Sequence, residues 1–340
     1  MSTWAEFHPL KSCVIGTLPD AEDILPYTKL ENRYRGYFKE IVNRSKVELD
    51  NLEKVFNSYG VATHRSKQDY PMHNGTTINT PPLAVRDFFT VYGNSLFKGN
   101  FAYEWNKDVP QSCDHVLDKF KDVYELDHKG KFYNGDFTKF EPDLHLERAY
   151  FHPPISLKLG HDVVISRSYG KEGNKLGHDE YIKWLSAVNP KVRVHTVDTE
   201  SHLDSQIFMV RPGLMLTALH PDRLPKIFDK WEKIQVESVT SQLFHKRSEH
   251  RHKKFHPVIA RSFYNFLETC TEETYFNLNS MSINESTVLF TGTHPDLFAK
   301  LEKKGIDCVP ISMKATTFWD TGVHCASNEL QRQGELEDYA

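Results

Sequence analysis

A cysteine near the end of the chain stands in a setting that suits a nucleophile. Cys325 ends the run WDTGVHC over residues 319–325, in which small and turn-forming residues precede the thiol. On such a loop a thiolate can form and attack an electrophilic carbon. A single cysteine is also often a small buried apolar side chain, and the residue type alone leaves both interpretations open.

Two further segments could supply a proton shuttle and an anchor for a cation. His202 and Asp204 are two residues apart, so on an extended chain they would point to the same face. Asp87 stands directly before the apolar run 88–93. Histidine exchanges protons near neutral pH. Two carboxylates beside a thiol and a histidine suit a planar cation such as a guanidinium, whose N–H donors form a fork.

Five short apolar runs, each closed by a small or turn-forming residue, are predicted to be buried strands. They cover residues 13–16, 88–93, 163–166, 213–217 and 287–292. Four of them are followed by a helical pattern and a second strand-like stretch. The predicted helices cover 34–59, 178–188, 222–231 and 295–304, and the second strands 61–64, 192–196, 234–236 and 305–309.

This alternation predicts five strand–helix–strand modules, of which the second is degenerate, with long ordered loops across residues 100–160. A doubly wound α/β sheet has a similar alternation. The chain contains neither GxGxxG nor GxxxxGK[ST], so a nucleotide-binding sheet is disfavoured. No linker is evident, and we expect residues 1–340 to form a single domain.

Composition narrows the class of protein. The 340 residues include 42 Lys and Arg against 46 Asp and Glu, a net charge of -4 that argues against a nucleic-acid binder. No apolar run reaches the length of a membrane span, and the start has no secretory-signal pattern. Five widely spaced cysteines without CxxC make a disulfide framework improbable and predict a reducing, cytoplasmic setting.

Four segments together resemble the amidinotransferases, which are guanidino-modifying enzymes. They are HPLK with VIG (8–16), VRDF through YGN (85–94), HLD through RPGL (202–214) and GVHC (322–325). The resemblance extends over nearly the whole chain. It implies the pentein fold, an α/β propeller of five ββαβ-like modules around a pseudo-fivefold axis.

The resemblance also implies roles for individual residues. Cys325 would be the nucleophile and His202 the general acid and base, while Asp87 and Asp204 would hold the guanidinium. Arg223 lies near the family arginine that binds the donor carboxylate, although the spacing differs by two residues. His324 is expected to point away from the site. The implied reaction moves the amidino group of L-arginine to glycine or a similar amine through an amidino-cysteine, leaving ornithine, and needs no metal or cofactor.

The chain departs from the family pattern at the acid that orients the catalytic histidine. On ungapped spacing that position holds His152, which would lower the pKa of His202. Asp143 or Glu147 could fold back instead, or Asp162 or a backbone carbonyl could orient the ring. With His152 in this position, replacing it by Asp is predicted to raise turnover.

Two other departures lie in the connection between the fourth and fifth modules. The basic, histidine-rich segment 244–256 is predicted to be a solvated loop, with a lid over the site as the alternative. Glu272 and Glu273 stand near family serines on the substrate side, which leaves the acceptor open.

Three functions remain open at this point. The first is amidino transfer, the second a guanidino hydrolase of the same fold, in which water resolves the intermediate, and the third a binding homologue without turnover. The expected partners are small molecules, and a homodimer is also open.

Overall fold

Five three-stranded sheets make up the core of the protein. The computed structural model describes residues 1–28, 30, 32–73, 78–127, 129–133, 147–167, 170, 172–199, 202–236 and 278–339. Each sheet joins an antiparallel pair of strands to a third strand that runs parallel to the central one. The five-module fold predicted from the sequence is therefore confirmed.

The strands follow one another in chain order. They are β1 (Leu10–Ile15), β2 (Ala62–Arg65), β3 (Phe89–Tyr92), β4 (Ser95–Lys98), β5 (Asp122–Glu125), β6 (Ser156–Leu159), β7 (Asp162–Ser166), β8 (Arg193–Val197), β9 (Ile207–Arg211), β10 (Leu214–Thr217), β11 (Glu232–Gln235), β12 (Met281–Asn284), β13 (Thr287–Thr291), β14 (Asp307–Ile311) and β15 (Ser327–Arg332). The sheets pair as β15-β1-β2, β3-β4-β5, β6-β7-β8, β9-β10-β11 and β12-β13-β14.

The first module is completed by the last strand of the chain. β15 pairs antiparallel with β1, with Cys13 opposite Glu329. The other four modules each use three strands that are consecutive in sequence. Because β15 begins at Ser327, the loop that carries Cys325 leads directly into the first module.

The helices cross from the central strand of a module to its parallel strand. Within the described residues they are α1 (Ala21–Ile24), α2 (Asn32–Ser58), α3 (Asp114–Leu117), α4 (Lys175–Val188) and α5 (Pro295–Glu302). The side chain of Asn174 caps α4 by accepting from the Gly177 N–H. An uncapped first turn would leave such donors without partners.

The helix predicted over 222–231 is wrong. The fourth module has only two 3₁₀ turns there, Pro221–Arg223 and Lys226–Phe228. Pro225 removes a backbone donor and holds the preceding Leu224 in an extended conformation (φ -77°, ψ 144°), so an α-helix cannot continue through it.

The second module also differs from the prediction. The apolar run 88–93 forms the outer strand β3, and β4 is the central strand. Residues predicted as loops contain 3₁₀ turns, α3 and the strand β5. The residues of β5 are mostly exposed, so this polar edge strand has no apolar run by which to be recognised.

A buried network of charges joins residues of different modules. Arg86 contacts Glu329 at 2.5 Å and Glu6 at 3.2 Å, and Lys158 contacts both carboxylates. All four side chains are at most 6% exposed. Removing one member of such a network leaves an uncompensated buried charge, which costs about 3–5 kcal/mol.

Among the described residues, no helix is both long and apolar enough to cross a membrane.

Candidate active site

Each module presents a polar side chain just before its outer antiparallel strand. Asp87 precedes β3, His152 precedes β6, Asp204 precedes β9, Asn279 precedes β12 and Cys325 precedes β15, always by two to four residues. Because the five modules are arranged around one axis, these equivalent positions face a common centre.

Short turns set the direction of these side chains. Val85–Asp87, Pro153–Ile155 and Leu203–Ser205 are 3₁₀ turns. The extended-chain argument that placed His202 and Asp204 on one face is therefore wrong. The two side chains leave the turn toward different partners, which are Glu172 for His202 and His324 for Asp204.

Asn279 holds the loop that carries Cys325. The Nδ2 of Asn279 donates to Cys325 Sγ at 2.8 Å. Its Oδ1 accepts from the backbone N–H groups of His324 at 2.9 Å and Cys325 at 3.1 Å. One amide therefore fixes both the backbone and the thiol. Sequence reasoning missed Asn279, although its position before β12 matches that of Asp87 before β3.

The surroundings of Cys325 favour the thiol over the thiolate in the free protein. Its side chain is buried. Burial raises the pKa of Cys325 well above its usual range, and the charges of Asp204 and Asp87 raise it further, while the hydrogen bond from Asn279 lowers it. A cation bound at the two carboxylates would weaken their effect on the thiol.

Asp87 and Asp204 each point one unpartnered oxygen into the protein. The Oδ1 atoms of both are shielded from solvent and make no hydrogen bond to any described residue. Burial raises the pKa of Asp87 to about 6, against the lowering effect of His202 and His152. Burial is the largest single effect on Asp204 and raises its pKa, but the hydrogen bond from His324 together with the charges of His324, His202 and Arg86 outweighs it, so the pKa of Asp204 is lowered.

The prediction that His324 points away from the site is wrong. Residues 323–326 form a turn and not an extended strand. The buried His324 ring therefore reaches Asp204, with its Nδ1 2.7 Å from Asp204 Oδ2. This contact orients Asp204 and leaves its Oδ1 as the available acceptor.

Glu172 is the acid beside His202. Glu172 Oε2 lies 3.0 Å from His202 Nε2, and Asp87 Oδ1 lies 4.0 Å from His202 Nδ1. Burial alone would lower the pKa of His202, but the charges of Glu172 and Asp87 raise it to about 10. The pKa of Glu172 is held well below its usual range, because His202 and His152 outweigh the effect of burial.

His152 lies beside His202 as the spacing predicted, with ring centroids 6.2 Å apart. Its Nδ1 is 2.6 Å from Glu172 Oε2. The expectation that His152 would lower the pKa of His202 is wrong, because Glu172 lies between the two rings and its charge dominates.

The other acids proposed for this position do not reach His202. Asp162 pairs with Arg193 and His195, and Glu147 is exposed. Asp143 lies outside the described residues. Glu172 follows β7 in the loop before α4 and belongs to no motif of the resemblance. It is the one acidic residue of residues 167–174, which is the signal that could have found it.

Arg223 is not part of this cluster. It is exposed and donates to the Asp198 carbonyl at 2.5 Å. The segment 244–256, Glu272 and Glu273 lie outside the described residues, so the predicted loop and lid have no structural account.

Comparison with known proteins gives relatives in sequence and in fold. No protein-family model matches the chain. The chain is 20% identical to the mitochondrial glycine amidinotransferase of Danio rerio over 390 residues, which span 98% of this chain and 83% of the relative.

Two solved structures show the same fold. The inosamine-phosphate amidinotransferase StrB1 from Streptomyces griseus superposes with a TM-score of 0.74 at 20% identity, covering 99% of this chain and 98% of that one. DDAH from Pseudomonas aeruginosa superposes with a TM-score of 0.62 at 11% identity, covering 95% and 100%. The comparisons confirm the pentein fold and the resemblance to amidinotransferases, and they support amidinotransferase activity.

Proposed function

We propose that this chain is an amidinotransferase that takes the amidino group of L-arginine and passes it to an amine through an amidino-cysteine. In this proposal Cys325 is the nucleophile and His202 the general acid and base. Asp87 and Asp204 hold the guanidinium, and Glu172 orients His202. The resemblance and the charge of the site support the choice of L-arginine as donor and of a glycine-like amine as acceptor.

The observation that carries the proposal is the pair of buried carboxylate oxygens, on Asp87 and Asp204, that accept no hydrogen bond from a described residue and whose charges act on the thiol. A buried carboxylate without a hydrogen-bond partner is costly, and a site that keeps two of them is preorganised for a cation. Asp87 and Asp204 come from different modules and both act on the pKa of Cys325. A guanidinium between them would satisfy both oxygens with charge-assisted hydrogen bonds.

Binding of the substrate would also prepare the nucleophile. The positive guanidinium offsets the two carboxylate charges that raise the pKa of Cys325, so the thiolate becomes easier to form. The hydrogen bond from Asn279 stabilises that thiolate. The same two carboxylates keep the guanidino group cationic, oriented and electrophilic.

In the first half-reaction, the Cys325 thiolate, formed when the thiol releases its proton to solvent on binding of the guanidinium, forms a bond from Sγ to the central guanidino carbon. The bond from that carbon to the arginine side-chain nitrogen then breaks. His202, protonated because of Glu172 and Asp87, gives its proton to the departing nitrogen, and ornithine leaves. The remaining amidino group stays on the sulfur of Cys325.

In the second half-reaction, an acceptor amine attacks the amidino carbon. His202, now neutral, takes the proton that the amine loses, and Sγ leaves as the thiolate. The cycle returns every group to its starting state without another reactant. One covalent intermediate shared by two half-reactions predicts ping-pong kinetics.

The names of the relatives point to two kinds of acceptor. Glycine is the acceptor named for one relative, and inosamine phosphate is named for another. The position of Arg223 gives no support to its role at the donor carboxylate, because its guanidinium bonds to the Asp198 carbonyl. Glycine therefore serves as the first acceptor to test, within a panel of primary amines.

The experiment is an incubation of the protein with L-arginine, with and without glycine, followed by product analysis. We expect ornithine together with guanidinoacetate, and neither product with Cys325→Ser. Citrulline or ammonia without an acceptor would indicate the hydrolase instead. Binding of arginine without any product, across the amine panel, would indicate a homologue that only binds.

We also propose a single domain, a cytoplasmic location and, as an open question of assembly, a homodimer. The reducing setting follows from the thiol chemistry, since the reaction needs Cys325 unoxidised. Light scattering of the purified protein gives its mass and decides between monomer and dimer.

A further inference from the structure

We propose that His152, Glu172 and His202 form a binding site for a divalent transition-metal ion, with Zn²⁺ as the best match to the donor set. Two imidazole nitrogens and one carboxylate oxygen are ligands that Zn²⁺ takes readily, with a fourth position left for water. The ion would not take part in the proposed reaction.

The geometry brings the three ligand atoms together before any ion binds. One atom from each residue lies within 4.8 Å of the other two. Glu172 Oε2 is the central atom, 2.6 Å from His152 Nδ1 and 3.0 Å from His202 Nε2. Bonds of about 2.0–2.2 Å from the metal to each ligand would need only small movements of the three side chains.

The burial and the contacts of His152 are a further indication of a metal ligand. His152 is 95% buried, with 5% of its surface exposed. Nδ1 pairs with Glu172 Oε2 at 2.6 Å, while Nε2 makes no hydrogen bond to a described residue. The buried ring therefore already directs one nitrogen at the carboxylate oxygen that would be the central ligand, and a metal between the two atoms would replace their contact by coordination.

The surroundings of His202 also suit a metal ligand. With Nε2 directed at the ion, the other ring nitrogen, Nδ1, faces Asp87 Oδ1 at 4.0 Å. A ligating histidine in a protein usually turns its second nitrogen toward a carboxylate, which fixes the ring and strengthens the bond to the metal. Asp87 is placed to do this.

A second cluster of potential ligands provides a contrast. Glu6, His324 and Glu329 also bring ligand atoms within 4.8 Å of one another. Both carboxylates there already pair with Arg86 and Lys158. A metal would have to displace buried cations, so this cluster is expected to stay without one.

Occupation of the site would stop the proposed reaction, and this consequence rests on the proposed function. A metal on His202 Nε2 removes the nitrogen that Glu172 orients and that exchanges protons with the amine. Its charge also opposes binding of a guanidinium at Asp87. Zn²⁺ would therefore act as a reversible inhibitor that a chelator removes.

The test measures binding of Zn²⁺ and Co²⁺ alone, by calorimetry and by the visible spectrum of Co²⁺, so it does not depend on turnover. The variants are Glu172→Gln, which keeps the shape of the side chain, and His152→Phe, with circular dichroism to check the fold. Cys325→Ser is the matched control, since thiolates also bind these ions. His324→Gln tests the second cluster.

We expect one ion per chain, with affinity lowered at least about tenfold by Glu172→Gln and by His152→Phe. Cys325→Ser and His324→Gln should bind as the unaltered protein does, and the Co²⁺ spectrum should lack a thiolate charge-transfer band. Three results would overturn the proposal. They are loss of binding in Cys325→Ser, unchanged binding in Glu172→Gln, and no binding to the unaltered protein. Metal binding with no amidino transfer would leave the site standing and remove only the proposed function.

Discussion

The carboxylate of Glu172 lies 3.0 Å from Nε2 of His202, in a position that no motif of the sequence marks. The same oxygen lies 2.6 Å from His152. One acid from the loop after β7 thus serves two imidazoles from two modules. Glu172 thus supplies the negative charge that would orient His202. The position that the orienting acid has in the family pattern is held in this chain by His152.

Replacing Glu172 by Gln should lower turnover of arginine by about 10²–10⁴-fold, the range for loss of an effective general acid–base. Glu172 raises the pKa of His202, so its removal should let His202 lose its proton at lower pH. In the Glu172→Gln variant, the activity that depends on protonated His202 should therefore begin to fall at a lower pH than it does in the unaltered protein.

The measurement is the pH dependence of kcat/KM, with Glu147→Gln as a matched control on an exposed acid. A purely structural role for Glu172 would lower activity at every pH without moving the profile. That outcome would remove Glu172 from the mechanism.

Replacing His152 by Asp should lower turnover by about tenfold or more, the reverse of what the sequence predicts. A carboxylate at this position would stand against Glu172, and like charges that close disfavour ionisation of both. His152 also helps to keep the pKa of Glu172 low. Steady-state rates of His152→Asp and His152→Gln check this, and a faster His152→Asp would restore the original prediction.

The overall fold could be read from the sequence because apolar runs closed by turn residues mark buried central strands. The site residues Asp87, Asp204 and Cys325 could be placed by the motifs of the resemblance, and each directly precedes an outer strand of its module. Glu172 and Asn279 were missed, because they belong to no motif and their roles depend on contacts between modules. The polar edge strand β5 leaves no apolar run, and in the fourth module Pro225 breaks the helix that the pattern over 222–231 predicts.

Replacing Asn279 by Asp should slow alkylation of Cys325 by iodoacetamide at neutral pH. The variant keeps the oxygen that accepts from the backbone of His324 and Cys325, but it loses the donor to Sγ and adds a negative charge. Both changes raise the pKa of the thiol.

The rate of alkylation is followed against pH, with Cys308→Ala present in both proteins to remove a partly exposed thiol. The curve for Asn279→Asp should shift to higher pH. Coincident curves would mean that the hydrogen bond from Asn279 does not act on the nucleophile.

Replacing Asp87 by Asn should stabilise the free protein at pH 7 while weakening the binding of arginine. The pKa of Asp87 is raised to about 6 in the folded protein, from 3.8, so its charge opposes folding. The linked free energy is about 2–3 kcal/mol at pH 7, and it disappears as the pH falls below about 4 and the carboxyl is protonated in both states.

Urea unfolding of the two proteins at pH 7 and at low pH measures this difference. The gain in stability should be present at pH 7 and small at low pH, and KM for arginine should rise. A less stable Asp87→Asn protein at pH 7 would show that the carboxylate is already satisfied in the folded state.

The central claim is that an amidino group resides on Cys325 between two half-reactions. The most direct measurement is intact-protein and peptide mass spectrometry after acid quenching of the protein mixed with arginine labelled in the guanidino carbon. The account predicts one labelled amidino group on the peptide that contains Cys325, release of ornithine, and loss of the label to guanidinoacetate when glycine is added. Three results would contradict the claim that Cys325 carries the amidino group. They are the absence of an adduct, an adduct that persists in Cys325→Ser, and label that leaves only as urea or citrulline.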